Sequence, residues 1–235
     1  MDVIASRGGA PGRRLAAILF DLDGTLLDSA ELIITAFQET CRSRLHRDID
    51  RATILRDWAR PIRERFHALA PGRDEELSRD YLRRYLALHD RLARLFCGVP
   101  ALLRALAARG YAMAVVTSKR RATTQAAVGA FGLAEWCPVI ITDEDTRRHK
   151  PDPEPVRLAV SRLGVAAADT LMVGDTPFDV EAGRDAGAAT AGALWGAVDP
   201  DALRAARPDY IVARPENLLA LCPPLDGALP AATGP

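Results

Sequence analysis

The order of apolar and polar positions divides this chain into three stretches. Residues 15–20 form an unbroken apolar run, which predicts a buried strand. Residues 29–96 are rich in arginine and follow a helical period, with no run typical of a strand. From residue 97 onward, short apolar runs alternate with helical segments that end at glycines. This alternation predicts a parallel sheet covered by helices on both faces.

The alternating stretch supplies most of the predicted elements. Strands are predicted at residues 112–117, 139–142, 170–175, 190–195 and 210–213, and helices at residues 102–108, 123–131, 155–163 and 178–186. Parallel strands connected in this way are joined by right-handed crossovers. We therefore expect an α/β fold with a Rossmann-like, three-layer core built on a parallel sheet, into which an all-helical domain is inserted.

The helical insert interrupts the core after its first strand. Because that strand belongs to the same sheet as the later ones, the expected core consists of residues 15–28 and 97–222. Residues 29–96 then form a helical cap domain that rises from the carboxyl end of the sheet. Its first helix is predicted to begin with Asp28 as the N-cap and with Glu31 reaching back to it.

Composition and charge narrow the class of protein. The 235 residues carry a formal net charge of 0, with a pI near 6.9, which argues against a nucleic-acid-binding surface. No apolar run approaches the ~20 residues of a membrane span. Four cysteines without a Cys-x-x-Cys pair favour reduced thiols in a cytoplasmic protein, which we expect to be a monomer or a homodimer. Residues 1–14 and 223–235 are expected to be disordered tails.

Two carboxylates stand at the end of the first strand. Asp21 and Asp23 follow the apolar run directly. Residues i and i+2 of an extended chain point to the same side, so both can project into one site at the carboxyl edge, where open α/β sheets bind ligands. Two carboxylates about 4 Å apart repel by about 4 kcal/mol at an effective dielectric near 20, so a cation is expected beside them. A single Asp-x-Asp is also common in turns, and its interpretation depends on three later segments.

These later segments also follow strands or loops that lead to the same edge. Thr117 and Ser118 end the second core strand, where hydroxyl and backbone N–H groups favour binding of an oxyanion. Lys150 stands in a proline-stiffened loop, which would hold its ammonium group in place. Asp175 ends another buried strand, and Asp179 follows one turn later. Asp179 is equally explained as a helix cap.

Together, these segments would surround one point with three or four carboxylates, a hydroxyl and a lysine. The candidate metal ligands are Asp21, Asp23, Asp175 and Asp179. An all-oxygen set without cysteine or histidine favours Mg²⁺ over zinc. The metal and the lysine would offset the charge of a bound phosphate dianion, which points to phosphoryl chemistry.

The same residues, taken in order, carry a family resemblance. The segments Asp21-Leu22-Asp23-Gly24-Thr25, Thr117, Lys150, and Gly174-Asp175 with Asp179 resemble the four motifs of the haloacid dehalogenase (HAD) superfamily of phosphohydrolases. The helical insert after the first motif is similar to the C1 cap of that superfamily. Residues 28–37, 150–156 and 190–192, with Trp195, resemble bacterial pyrophosphatases and phosphoglycolate phosphatases of the same superfamily.

The resemblance implies chemical roles for the first pair of acids. Asp21 would be the nucleophile that attacks phosphorus and forms an aspartyl-phosphate. Asp23 would protonate the leaving oxygen and then deprotonate the water that cleaves the intermediate, while its backbone carbonyl binds Mg²⁺. In the dehalogenases of this superfamily the second acid is missing and no metal is used. The presence of Asp23 therefore favours cleavage of a phosphate ester or anhydride.

The resemblance also implies binding roles for the later segments. Asp175 would hold the metal, with Asp179 as an outer or second ligand. Thr117, Ser118 and Lys150 would bind phosphate oxygens, and Lys150 would also tether the nucleophile.

The helical insert leaves the substrate open. Relatives often carry a glycine in the substrate loop of the cap, whereas this chain has Trp58-Ala59-Arg60-Pro61-Ile62-Arg63. Arg60 and Arg63 either contact an anionic tail of the substrate or are solvated arginines of a basic helical bundle. Phosphoglycolate is the first expected substrate and pyrophosphate the second. A phosphomutase of the β-phosphoglucomutase kind and a catalytically silent phosphate-binding regulator are the alternatives.

Overall fold

The structure, a computed structural model, describes residues 3–5 and 14–225. Its strands are β1 (Val3–Ala5), β2 (Ala17–Phe20), β3 (Leu27–Asp28), β4 (Arg94–Leu95), β5 (Ala112–Val116), β6 (Val139–Ile141), β7 (Thr170–Gly174), β8 (Ala189–Ala193) and β9 (Tyr210–Val212). Its α-helices are α1 (Ala30–Leu45), α2 (Arg51–Arg56), α3 (Ile62–Leu69), α4 (Asp74–Leu92), α5 (Val99–Ala108), α6 (Arg121–Phe131), α7 (Leu133–Trp136), α8 (Glu154–Leu163), α9 (Pro177–Ala186) and α10 (Pro200–Ala205). None of the helices in these ranges combines the length and the apolar character that crossing a bilayer requires.

The main sheet has the strand order β1-β9-β8-β7-β2-β5-β6. Six of its strands, from β9 to β6 in that order, are parallel to their neighbours. All four residues of β2 are buried, and successive side chains enter separate apolar clusters: Leu19 belongs to one and Phe20 to the other. Such a strand needs cover on both faces, which explains its unbroken apolar sequence. The predicted α/β fold with a parallel-sheet core is confirmed.

The register of the central strands aligns their carboxyl ends at one edge of the sheet. Phe20 of β2 is aligned with Val115 of β5 and with Val173 of β7. The backbone N–H of Asp21 continues this pairing and donates to the carbonyl of Val173 at 2.9 Å. The residues that follow these three strands therefore leave the sheet at one edge.

Helices α1 to α4 lie between two short strands that connect them to the core. Leu27 of β3 pairs with Leu95 of β4 in an antiparallel ladder, so the chain enters and leaves this segment at one place. Aromatic rings join the helices: Phe37 stacks on Phe66 with centroids 4.7 Å apart, and Phe66 meets the edge of Tyr81 at 6.0 Å. The helical period read from the sequence therefore corresponds to a packed bundle.

A buried acid accounts for part of the arginine content of this bundle. Asp80 on α4 accepts hydrogen bonds from Arg44 at 2.9 Å and from Arg84 at 2.7 Å, and it also contacts Arg83. Burial would raise the pKa of Asp80, but Arg84 and Arg44 hold it below its ordinary value. The charge network ties α1 to α4.

The expectation of a disordered amino-terminal tail is wrong in part. Residues Val3–Ala5 form β1, which pairs antiparallel with Tyr210–Val212. Without this strand, β9 would be an edge with unpaired N–H and C=O groups, and pairing satisfies them. Residues 1–2 and 6–13 lie outside the described residues.

Residues 223–225, which were expected to belong to a disordered tail, make hydrogen bonds with the core. The backbone N–H of Leu225 donates to the carbonyl of Arg109 at 3.0 Å, and the Tyr111 hydroxyl donates to the carbonyl of Pro223 at 2.8 Å. These bonds fix residues that the composition alone assigns to a tail. Residues 226–235 lie outside the described part of the chain.

The predicted start of the first cap helix is wrong by one residue. Ser29 is the N-cap, and its side chain makes no capping hydrogen bond. Asp28 belongs to β3 and pairs with Arg94. The Ser29 hydroxyl donates instead to the Asp23 carboxylate. Ser29 therefore holds a side chain at the carboxyl edge of the sheet and does not cap the helix with its hydroxyl.

Candidate active site

A cavity of about 90 Å³ lies between the carboxyl edge of the sheet and the helical bundle. One water-sized group needs about 10–15 Å³, so the cavity suits a small molecule. Its core side includes Asp21, Asp23, Thr117, Ser118, Lys119 and Lys150. Its bundle side includes Trp58, Arg60, Ile62, Arg65, Ser78 and Tyr81.

Lys150 and Asp21 form the centre of the core side. The Lys150 ammonium donates to Asp21 Oδ1 at 2.8 Å, to Asp179 Oδ1 at 2.6 Å and to the carbonyl of Val116 at 3.0 Å. Burial raises the pKa of Asp21 to about 7, since the repulsion from Asp179 adds to it and Lys150 only partly opposes it. Burial alone would lower the pKa of Lys150, but Asp179 and Asp21 raise it above its ordinary value. The lysine is therefore held as a cation by two buried acids.

Asp175 presents a buried carboxylate oxygen without a partner. Its Oδ1 accepts a hydrogen bond from Thr25 Oγ1 at 3.1 Å, whereas no residue in the described ranges bonds to its Oδ2. Burial, followed by repulsion from Asp179 and Asp21, raises its pKa well above the ordinary value. Gly24 makes room for this carboxylate: a Cβ at that position would lie 2.2 Å from Asp175 Oδ2. A buried carboxylate oxygen without a partner could serve as a ligand for a cation.

Three carboxylates converge on this point. Asp21, Asp175 and Asp179 each offer an oxygen, and these oxygens lie within 4.8 Å of one another. Asp179 also caps α9, because its Oδ2 accepts from the backbone N–H of Thr176 at 3.0 Å and from the Thr176 hydroxyl at 2.6 Å. The two interpretations of Asp179 are thus compatible: one oxygen caps the helix and the other faces the cluster.

The carboxylate of Asp23 points away from this cluster. Lys119 Nζ lies 2.8 Å from both of its oxygens, and Ser29 donates to Oδ1. The same ammonium lies 4.4 Å from the centroid of the Tyr85 ring on α4. Sequence analysis did not assign a partner to Lys119. A signal was available, however, since Lys119 and Lys150 are the only lysines among the 31 lysine and arginine residues of the chain.

The turn after β5 contributes hydroxyls to the cavity. The backbone N–H of Thr117 donates to Ile141, and that of Lys119 donates to Thr117 Oγ1. These two N–H groups are therefore already engaged in hydrogen bonds. Thr117 and Ser118 nevertheless line the cavity, with Thr117 almost fully buried.

The structure separates the two arginines proposed for the bundle side. Arg60 lines the cavity and lies 3.5 Å from Asp57. Arg63 is not among the described residues that line it, and it pairs with Asp74 at 2.8 Å and Glu75 at 3.2 Å.

Arg65 takes the place expected for Arg63. Positions i and i+2 of an α-helix point about 200° apart around its axis. Arg65 of α3 therefore faces inward when Arg63 faces outward. Arg65 is only 6% exposed, lines the cavity, and lies 4.7 Å from the centroid of the Phe37 ring. Sequence analysis missed this residue because its position depends on which face of a short helix is buried.

A loop after β8 supports the turn that carries the first two acids. Trp195 Nε1 donates to the carbonyl of Thr25 at 2.8 Å. Gly196 approaches so closely that a Cβ there would lie 1.9 Å from the carbonyl oxygen of Gly24. Neither contact follows from local sequence, because 170 residues separate Trp195 from Thr25.

We expect Gly196→Ala to lower the free energy of unfolding by about 1–3 kcal/mol, because the new methyl group forces two backbone segments apart. Urea unfolding measures this change. Gly129→Ala is the matched control, since a Cβ there meets nothing within 4 Å and alanine favours the helix. A Gly196→Ala protein with an unchanged free energy of unfolding would contradict the close approach of the two loops.

Known proteins resemble this chain in sequence and in fold. A family model for haloacid dehalogenase-like hydrolases matches residues 18–193. Pyrophosphatase PpaX from Bacillus velezensis is 36% identical over 207 residues, which cover 88% of this chain and 96% of that protein. Among solved structures, a predicted phosphoglycolate phosphatase from Haemophilus somnus has a TM-score of 0.80 at 24% identity, covering 88% of this chain and 97% of that one. CbbY from Rhodobacter sphaeroides, solved with phosphate, has a TM-score of 0.70 at 27% identity, covering 76% and 86%. The resemblance carried by the four segments is thereby confirmed, and the chain belongs to the haloacid dehalogenase-like hydrolase family.

Proposed function

We propose that the protein is a Mg²⁺-dependent phosphohydrolase that cleaves a small phosphorylated metabolite through an aspartyl-phosphate on Asp21. The observation that carries this proposal is the convergence of Asp21, Lys150 and the orphaned oxygen of Asp175 in one buried site. Lys150, 2.8 Å from Asp21 Oδ1, and a bound metal would both favour the ionised form of Asp21, and an ionised carboxylate needs no base to act as a nucleophile.

The reaction proceeds in two steps. In the first, an oxygen of Asp21 bonds to phosphorus while the bond to the leaving oxygen breaks, and Asp23 protonates that oxygen. In the second, Asp23 takes a proton from the attacking water, and phosphate leaves Asp21. Lys119 and Ser29, which hold the Asp23 carboxylate, orient it for both proton transfers.

The phosphate group is bound by residues of two loops. The hydroxyls of Thr117 and Ser118 line the cavity on the core side and can donate to phosphate oxygens. Lys150 neutralises part of the phosphate charge and orients the nucleophile through its 2.8 Å contact to Asp21. The same lysine thus serves binding and catalysis.

The donor set fits a hard divalent cation. Asp21, Asp175 and Asp179 offer carboxylate oxygens, and the unpartnered Oδ2 of Asp175 is the clearest vacancy for a ligand bond. The backbone carbonyl of Asp23 completes the proposed set. When bound, Mg²⁺ supplies positive charge that offsets the phosphate dianion and the clustered acids.

Two substrates follow from the comparisons and from the cavity. The name of the Bacillus velezensis relative supports pyrophosphate, and the name of the Haemophilus somnus protein supports phosphoglycolate. Both molecules are small enough for a cavity of about 90 Å³. The greater identity to PpaX gives pyrophosphate at least equal rank with phosphoglycolate, which sequence analysis placed first.

The helical segment is proposed to act as a cap. Residues 29–96 form the cap domain, and residues 15–28 with 97–222 form the core. Aromatic and basic residues of the bundle close the cavity on the side opposite Asp21. Closure over the bound substrate would exclude water from the aspartyl-phosphate until the second step.

Phosphate release from purified protein tests the proposal. We expect Mg²⁺-dependent release from phosphoglycolate, pyrophosphate or both, and loss of release when EDTA removes the metal, because the acid cluster then repels the phosphate. Asp175→Asn should require far more Mg²⁺ for the same rate, since it removes the unpartnered carboxylate. Glu181→Gln, on the same helix as Asp179 but outside the cavity lining, is the control.

The result also separates the alternatives. Isomerisation of a sugar phosphate that depends on a bisphosphate, without net phosphate release, would identify a phosphomutase. No release from any phosphate ester or anhydride, in protein that binds phosphate, would identify a silent binding protein and contradict the proposed function.

A further inference from the structure

We propose that Arg65 and Ser78 form a subsite on the cap for a second anionic group of the substrate, a carboxylate or a second phosphate carried a few atoms from the phosphate that is cleaved. The inference rests on the proposed function and adds the class of substrate. It depends on two buried polar side chains of the bundle that line the cavity and lack a matching partner.

Arg65 is a buried cation that makes no ion-pair contact with a carboxylate of the described residues. In the described part of the chain its guanidinium donates to the carbonyl of Ile54 at 2.9 Å and to no carboxylate. Burial lowers the pKa of Arg65, and Tyr81 and Asp57 oppose this only in part. Arginine remains charged even so. A planar guanidinium with free N–H donors in a closed cavity is a binding group for a carboxylate or a phosphate.

Ser78 supplies a second orphaned group on the same wall. It is 2% exposed, and its Oγ has no hydrogen-bond partner among residues 14–225. A buried hydroxyl without a partner is unfavourable unless a ligand supplies one. Ser78 belongs to α4 and Arg65 to α3, so two different helices contribute these side chains to the lining of one cavity.

Tyr81 shows that this wall faces the reacting residues. Burial raises the pKa of Tyr81, and the charges that act on it include Lys119 and Asp23 on the core side and Arg65 on the cap side. Tyr81 lines the same cavity as Asp21 and Asp23, so the second anionic group would lie in that cavity, beyond the cleaved phosphate. A compact substrate with two anionic ends meets this requirement, and an alkyl phosphate, whose tail is uncharged, does not.

Matched substrates test the subsite. Phosphoglycolate carries a carboxylate and pyrophosphate a second phosphate, whereas ethyl phosphate has neither. We expect wild-type protein to prefer one or both of the first two, and Arg65→Met to lower kcat/KM for the preferred substrate by roughly 10- to 100-fold, as expected for a lost charged hydrogen bond. Ser78→Ala should lower it by about 5-fold. Hydrolysis of ethyl phosphate should change by less than about 2-fold in both variants, since it makes neither contact.

The control and the second readout keep the test decisive. Arg79→Gln removes an exposed arginine next to Ser78 and should leave all three rates unchanged. If Arg65→Met does not fold, two variants replace it: Ser78→Ala, and Arg65→Lys, which keeps the charge but loses the bidentate guanidinium. The thermal shift by phosphoglycolate relative to ethyl phosphate requires no turnover and should shrink in each variant.

Each outcome bears on one proposal. The substrate whose rate falls most identifies the second group as a carboxylate or as a phosphate. Equal losses on all three substrates, or no preference and no difference in thermal shift in the wild-type protein, would overturn the subsite and leave a phosphohydrolase. Failure of the wild-type protein to release phosphate from any substrate would count against the proposed function instead.

Discussion

Replacing Asp21 by Asn is expected to lower turnover of p-nitrophenyl phosphate in Mg²⁺ by more than about 10⁴-fold, the scale of losing a nucleophile. The amide has the shape of the carboxylate but is a poor nucleophile, so no aspartyl-phosphate forms. Asp21 has a further task, since its Oδ1 accepts a hydrogen bond from Lys150. The amide oxygen can still accept that bond, which preserves the geometry of the site. Phosphate-release kinetics at saturating substrate measure the effect.

Two checks give this result its meaning. Asp201→Asn alters an acid whose side chain is 99% exposed, and it should leave turnover unchanged. Thermal unfolding should show that Asp21→Asn is folded, because the substitution removes one of three repelling buried acids. Substantial turnover by the folded variant would refute nucleophilic catalysis by Asp21.

Lys150→Met is expected to combine loss of activity with loss of stability. The substitution leaves Asp21 and Asp179 buried without their shared cation, and breaking a buried ion pair in this way costs about 3–5 kcal/mol. Urea unfolding in EDTA measures the change without compensation from a metal. The loss should be smaller in an Asp179→Asn background, since one of the stranded charges is then absent.

Arg79→Met provides the comparison for this second substitution. It removes a cation from an exposed position, where the effect on the free energy of unfolding is usually within about 0.5 kcal/mol. A Lys150→Met protein as stable as Arg79→Met would mean that Asp21 and Asp179 do not depend on the lysine. That outcome would contradict the site as described.

The core half of the site was predictable from sequence because its determinants are local. Each of Asp21, Thr117 and Asp175 follows an apolar run that must be a buried strand, and parallel strands deliver such residues to one edge. The structure brings all three to the described site, with Lys150 among the acids. The strand pattern and the edge rule therefore account for these three residues, whereas Lys150 stands in a loop that the strand pattern does not place.

The remaining features depend on how distant segments pack. Whether Arg63 or Arg65 faces the cavity is decided by the rotation of a short helix that carries these arginines at its second and fourth positions. The partner of Lys119 is Asp23, 96 residues away, and the support of the first turn by Trp195 spans a still longer separation. Periodicity describes one element at a time, so it predicted the bundle but not its inward face over the cavity.

The placement of the two lysines has a practical consequence. Every ε-amino group of the chain belongs to the cavity, and the side chains of Lys119 and Lys150 are only 8% and 4% exposed. A reagent that acylates lysines therefore has no exposed ε-amino group to modify, because arginines carry the positive charge of the surface. Stoichiometric ε-acylation thus reports solely on opening of the cavity, and immobilisation of the protein through its lysines would inactivate it.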